Sequence, residues 1–131
     1  MKLRKCDTQG CGHYGASRGT RKHNGVDVLR EPGITLYSPV AGVVTKLGYT
    51  YSDDLSFRYV EVTSAGYRFR FFYVYPAVEL GDSIKAGALI GTTQDLTARY
   101  AGIGNHFHLE IKSPDGAFVD PTPVALCMGA A

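Results

Sequence analysis

No stretch of this 131-residue chain approaches the roughly 20 consecutive apolar residues of a membrane-spanning helix, which excludes such a helix from it. Nothing in it reads as a long amphipathic helix, an internal repeat or a low-complexity linker. Neither charge sign dominates. Lys and Arg number 14 against 12 Asp and Glu, leaving +2, which is too little to argue for a nucleic-acid partner. A weak positive bias does suit an anionic polymer such as a bacterial cell wall. Met1-Lys2-Leu3-Arg4-Lys5 is not followed by an apolar core, so no signal peptide is expected there. The chain is then expected to be a piece of a larger exported protein, to leave the cell by another route, or to stay inside.

Cysteine is scarce as well: Cys6, Cys11 and Cys127. Cys6 and Cys11 bracket Asp7-Thr8-Gln9-Gly10, a polar tetrapeptide with turn chemistry. The spacing accommodates a disulfide, which would imply an oxidising compartment; two reduced thiols in a cytosolic protein are the alternative. A zinc knuckle fits less well, because Cys127 at the far end is a poor third ligand. Flanked by Leu126 and Met128, Cys127 reads as a buried thiol.

What is present points to one folded domain. Apolar residues make up 44% and charged residues 20%, ordinary for a globular chain long enough to bury a core. Residues 12–22 carry three glycines and three basic residues without apolar periodicity, and read as a loop. Arg18, Arg21 and Lys22 there form a charged face, with Arg18 a candidate contact for a substrate carboxylate. Beyond them the signal is β: 34–37, 40–47, 57–63 and 67–75 are rich in β-branched and aromatic residues, and 117–120 is a last short strand. Glu31-Pro32-Gly33, Ser38-Pro39 and Ser64-Ala65-Gly66 punctuate them as turns. Residues 50–56 read as a longer polar loop, 78–91 as two short strands around a glycine-bounded turn, and 92–104 as a loop with one helical turn at 96–100. The expected class is all-β, a small and mostly antiparallel sheet core.

The densest chemistry lies in Gly104-Asn105-His106-Phe107-His108-Leu109-Glu110-Ile111. His106 and His108 alternate with Phe107, Leu109 and Ile111, so a half-buried strand would project both imidazoles from one face. Glu110 has the same parity and could orient a ligand imidazole. Upstream, His23 and Asp27 are four apart, but Gly25, Val26 and Val28 disfavour a helix; in a strand their shared parity would also put them on one face. Imidazoles and a carboxylate are a borderline-soft donor set suited to Zn2+. Catalytic zinc sites use three protein ligands and keep a fourth position open. A +2 ion beside one carboxylate leaves about +1 to polarise a bound water. Four candidates for three positions leave one histidine spare for acid/base work.

His23-x-x-x-Asp27 followed by His106-x-His108 resembles the lysostaphin-type peptidoglycan zinc endopeptidases. The likeness extends over roughly residues 20–123. It takes in Gly25-Val26-Asp27, Leu36-Tyr37-Ser38-Pro39-Val40-Ala41-Gly42-Val43-Val44, Leu80-Gly81-Asp82 through Ile90-Gly91, and Asp120-Pro121. Cys6-Asp7-x-x-Gly10-Cys11-Gly12 and Arg18-Gly19-x-Arg21 look more like a subgroup that includes the leukocyte chemotaxin, a secreted protein not regarded as a peptidase. The resemblance implies the lysostaphin-type fold, a small β core with a loop-walled groove, here spanning residues 23–123 between an N-terminal extension (1–22) and a C-terminal tail (124–131). Tyr49, Tyr51 and Tyr100 flank the loops that would wall the groove. It also implies that His23, Asp27 and His108 hold Zn2+ and that His106 is the acid/base histidine. The implied substrate is a peptide stem or cross-bridge of peptidoglycan, met outside the cell or in the periplasm. No nucleic acid or membrane insertion is implied; a protein partner is expected if the chain belongs to a larger exported protein. One position departs from the pattern: Tyr75, in Tyr73-Val74-Tyr75-Pro76, stands where active members carry a further histidine. A phenol can donate a hydrogen bond to a developing oxyanion but is a poor base near pH 7. Two expectations follow: a zinc endopeptidase using Tyr75 as a substitute donor, or a zinc-stabilised, non-catalytic binding module of the chemotaxin kind.

Overall fold

A computed structural model describes residues 3–7, 10–18 and 21–128; the side chains of Arg18 and Arg21 and residue Gly19 lie outside the description. Its elements are β1 (Ser17–Arg18), β2 (Arg21–Lys22), β3 (Val26–Leu29), β4 (Thr35–Tyr37), β5 (Gly42–Tyr51), β6 (Asp54–Ser64), β7 (Tyr67–Phe72), β8 (Val74–Pro76), β9 (Ser83–Ile84), β10 (Leu89–Thr93), β11 (His106–Lys112), β12 (Phe118–Val119) and α1 (Thr122–Cys127). All pairings among them are antiparallel, as expected for strands linked by short turns.

The main sheet runs β12-β11-β7-β6-β5-β9, with β3 also pairing β11. The segment before β3 extends that edge, since Leu3 bridges to Val28. A second sheet has the order β4-β10-β8. Alternation sorts the faces of the main sheet. Val26, Val28, Val60, Val62, Phe69, Phe71, Phe107, Leu109 and Ile111 enter one core, joined by Leu36, Val74 and Ile90 from the second sheet. Ala65 and Gly66, both at positive φ, make the two-residue turn between β6 and β7.

Four local expectations change. Residues 50–56 do not form a long loop, because β5 and β6 run on to Tyr51 and Asp54 and turn over Ser52 and Asp53. The two short strands at 78–91 separate, β9 pairing β5 and β10 pairing β4 and β8. The basic segment at 12–22 contains the two-residue pair β1–β2. At the C-terminal end, α1 turns Ala125 inward and Met128 follows it into the core, which leaves Leu126 and Cys127 outside. Cys127 is therefore exposed, not buried. Cys6 and Cys11 are joined in a disulfide.

On the polar face of the main sheet, the buried Glu61 carboxylate accepts from Arg70 Nε at 2.6 Å and from Thr45 Oγ1 at 2.8 Å. Burial alone would raise the Glu61 pKa, but the Arg70 and Thr45 bonds outweigh it and hold it below the usual range. A depressed folded-state pKa contributes stability above the unfolded value, lost as pH falls through the folded one. Arg70→Met should therefore lower stability at pH 7 by ~1–3 kcal/mol, since it strands a buried carboxylate, and flatten the acid limb of the stability curve. Chemical denaturation at several pH values checks both outcomes.

Candidate metal centre

Sheet register builds the site. In the β3–β11 pairing Asp27 lies opposite His108, and Val26 opposite Leu109. Phe107, Leu109 and Ile111 are committed to the core, so His106, His108 and Glu110 share the other face of β11. Likewise Val26 and Val28 hold Asp27 on that face. His23 arrives differently. It precedes β3 at a bend over Asn24 and Gly25, fixed by the bond from its backbone N–H to Ala16 O at 2.7 Å. The bend depends on Gly25: a Cβ there would lie 2.2 Å from Leu109 O and 2.7 Å from His108 Nε2.

Three donor atoms converge. Asp27 Oδ1 is 2.8 Å from His108 Nδ1 and 3.2 Å from His23 Nε2, and the two nitrogens are 3.0 Å apart. A tetrahedral ion with ligand bonds of ~2.0 Å sets its donors about 3.3 Å apart, so the triangle is close to the size a cation needs. The outer nitrogens are engaged elsewhere. His23 Nδ1 donates to His13 O at 2.9 Å, and His108 Nε2 meets Glu110 Oε1 at 3.0 Å, the arrangement that aims a ligand imidazole at a metal. The donor set fits a divalent ion of the zinc kind.

The electrostatics agree. Burial would raise the Asp27 pKa, but bonds to His108 and His23 overcome it and hold the carboxyl well below its usual range. Burial would lower His108, yet Asp27 and Glu110 on its two nitrogens raise it to about 9. His106 moves the other way: burial lowers it, with Asp27 opposing only in part. Its Nδ1 donates to Gly104 O at 2.7 Å, leaving the Nε2 lone pair 3.6 Å from Asp27 Oδ1. A neutral imidazole fixed in this tautomer is equipped to accept a proton beside the donor triangle.

The triangle opens into a groove of about 500 Å³ whose walls include Thr50, Tyr51, Phe72, Tyr100 and Ile103. Two tyrosines expected on that wall, Tyr51 and Tyr100, are there, whereas Tyr49 is exposed and its ring lies against Arg58 at 4.3 Å. Tyr75 is not brought to the site: it is 57% exposed on β8, in the second sheet, and is not a wall of the groove. The reason is a break in alternation. Tyr73 takes φ 65 between β7 and β8, and the chain leaves the main sheet there. It is Tyr73 that lines the groove, its ring edge-on to His106 at 5.5 Å between centroids. Its hydroxyl lies 2.9 Å from Tyr51 Oη, which lies 2.5 Å from Tyr100 Oη. Burial raises the Tyr73 pKa to about 12, so the group stays a protonated donor. The groove also contains Arg4, whose Nε donates to Asp27 Oδ2 at 2.9 Å. No periodic pattern singles out Arg4, because its role rests on a contact across 23 residues. The Arg18 side chain, a candidate substrate contact, lies outside the described residues.

The chain is 36% identical over 110 residues to leukocyte cell-derived chemotaxin-2 of Bos taurus, covering 83% of this chain and 72% of that one. It is 30% identical to myeloid protein 1 of Gallus gallus over 113 residues, which is 34% of that protein. In structure it is similar to lysostaphin, the antimicrobial peptidase of Staphylococcus simulans. Its TM-score there is 0.68 at 20% identity; against the solution structure of lysostaphin it is 0.73 at 20% identity, covering 95% of this chain and 51% of that one. The chain thus spans about half the length of that structural neighbour, and at this identity the likeness concerns the fold. The model of peptidase family M23 matches residues 21–121, from just before His23 to just past β12, and on that match the chain belongs to peptidase family M23.

Proposed function

We propose that the chain is a zinc-dependent endopeptidase that hydrolyses peptide cross-links of bacterial peptidoglycan, outside the cell or in the periplasm. The observation that carries this reading is the triangle of His23, Asp27 and His108 donor atoms beside a neutral His106. Those three residues would hold the zinc, which when bound supplies Lewis-acid polarisation of water and of the scissile carbonyl. His106 Nε2 takes the proton from the attacking water and returns it to the departing amine. The Tyr73 hydroxyl donates a hydrogen bond to the oxygen that gains charge, the part first expected of Tyr75. Tyr51 and Tyr100 wall the groove along which an extended peptide lies. The disulfide suits an oxidising compartment, and a net charge of +2 suits an anionic wall polymer.

A second reading is a non-catalytic, zinc-stabilised binding module. The 36% identity to a chemotaxin favours it, and it accords with Tyr75 standing where the resemblance implies a histidine. Turnover separates the two. The zinc-loaded protein should release soluble peptides from purified cell wall, and chelation should stop it. His106→Ala should lower kcat by ~10²–10⁴-fold with zinc content unchanged. Tyr73→Phe should lower it by ~10²–10³-fold. Wall binding without turnover, indifferent to His106→Ala, would leave the binding module standing.

Metal binding should depend on pH with a definite sign. Because His108 is raised to about 9, it carries a proton at pH 7 that a ligand ion must displace. Zinc binding should release about one proton at pH 7, and affinity should rise roughly tenfold per pH unit until about pH 9. Calorimetric titration in two buffers of different ionisation enthalpy measures the proton count; none released would contradict the assignment of His108.

A further inference from the structure

Asp27 is gripped from the outside by the disulfide-closed N-terminal turn. Its backbone carbonyl accepts from Arg4 N at 2.7 Å, and its backbone N–H donates to Gly12 O at 2.8 Å. Its Oδ2 accepts from Arg4 Nε at 2.9 Å, so Oδ1 alone turns toward the histidines. Arg4 is held in turn. Its Nη1 donates to Asp7 Oδ1 at 2.7 Å and to Gly10 O at 3.0 Å, and both partners lie within the turn closed by Cys6 and Cys11. Residues 7 and 10 exchange backbone bonds at 3.0 and 3.1 Å. At Gly12 a Cβ would stand 2.5 Å from Arg4 O, so the return limb of the turn lies flat against Arg4. The brace reaches across the groove as well: Asp7 Oδ2 accepts from Gly104 N at 3.2 Å, and Gly104 O accepts from His106 Nδ1 at 2.7 Å.

A carboxylate offers a cation either one oxygen or two. A guanidinium fixed on Oδ2 removes the second option, holds the carboxylate plane and cancels part of its charge. We infer that Arg4 is a positioning residue for the metal centre: braced by the Cys6–Cys11 turn, it presents Asp27 to the ion through Oδ1 alone. The N-terminal turn is then part of the centre, although it contributes no ligand. A nearby cation also repels the ion, so removing Arg4 has two opposed effects. The bond from Nε to Oδ2, with Nη1 tied to Asp7 and Gly10, decides for positioning. The inference rests on the proposed zinc site.

The test is titration of the full chain with Zn2+ alone, together with absorption spectra after loading with Co2+. Arg4→Met should weaken zinc affinity by ~10–100-fold, the usual cost of losing a partner of a ligand. It should also change the Co2+ d–d bands, as the carboxylate loses the bond that fixes its plane. Arg4→Lys keeps the charge without the fork and should fall between the two. Cys6→Ser/Cys11→Ser should weaken affinity in the same direction, and combined with Arg4→Met should cost less than the sum. Unchanged or tighter binding in Arg4→Met, with wild-type spectra, overturns the inference. Where Arg4→Met does not fold, the double serine variant decides: wild-type affinity overturns the inference, and weaker binding with altered Co2+ bands upholds it. If the wild-type chain itself binds no zinc, the proposed function fails, a different outcome from wild type and variants binding alike.

Discussion

Asp27 is 3% exposed, and an unpaired carboxylate so deeply buried would cost several kcal/mol. It is tolerated because its oxygens are met by His108 and His23 on one side and by Arg4 on the other. Each partner comes from a different part of the chain, and each is committed by something other than Asp27. The hydrophobic alternation of β11 delivers His108, the glycine bend before β3 delivers His23, and the disulfide-closed turn delivers Arg4. The core fixes where the carboxylate stands, and the carboxylate collects the nitrogens around it. The same burial that makes the charge costly makes it effective at drawing a cation.

The strands were legible because one face of the main sheet is apolar and the other carries the polar side chains. Valine and phenylalanine at every second position left no other register for β6, β7 and β11, and the shared face of His106, His108 and Glu110 follows directly. Parity also served for Asp27. It served less well for His23, which sits outside any strand and reaches the site through a bend that only glycine allows. Tyr75 was singled out by resemblance alone, and the positive φ at Tyr73 carries the chain into the second sheet before that position is reached. Cys127 misled because its apolar neighbours suggested a buried run, whereas about half a helical turn separates inward Ala125 from outward Cys127. Arg4 could not be read at all, since a long polar side chain ahead of a turn has no periodicity to betray its partner.

Beside the cluster of His23, Asp27 and His108 donor atoms, the phenol that lines the groove is Tyr73 and not Tyr75. With His106 neutral and Tyr73 protonated, the site holds one proton acceptor and one donor near the donor triangle. A phenol at that wall can donate a hydrogen bond but is a poor base near pH 7, and donation contributes to stabilising a developing negative charge. The hydroxyl chain from Tyr73 through Tyr51 to Tyr100 also ties that donor to the groove wall. A binding module needs the wall and the metal but has no use for a fixed, neutral histidine. This is why His106 weighs toward catalysis.

Two imidazoles and one carboxylate oxygen are proposed to hold a single cation. X-ray absorption at the zinc edge, on protein loaded with one equivalent of zinc, addresses it directly. The account predicts a shell of only nitrogen and oxygen at ~2.0–2.2 Å, with the outer-shell scattering of two imidazoles. Sulfur at ~2.3 Å, or a shell of oxygen without imidazole scattering, would contradict it.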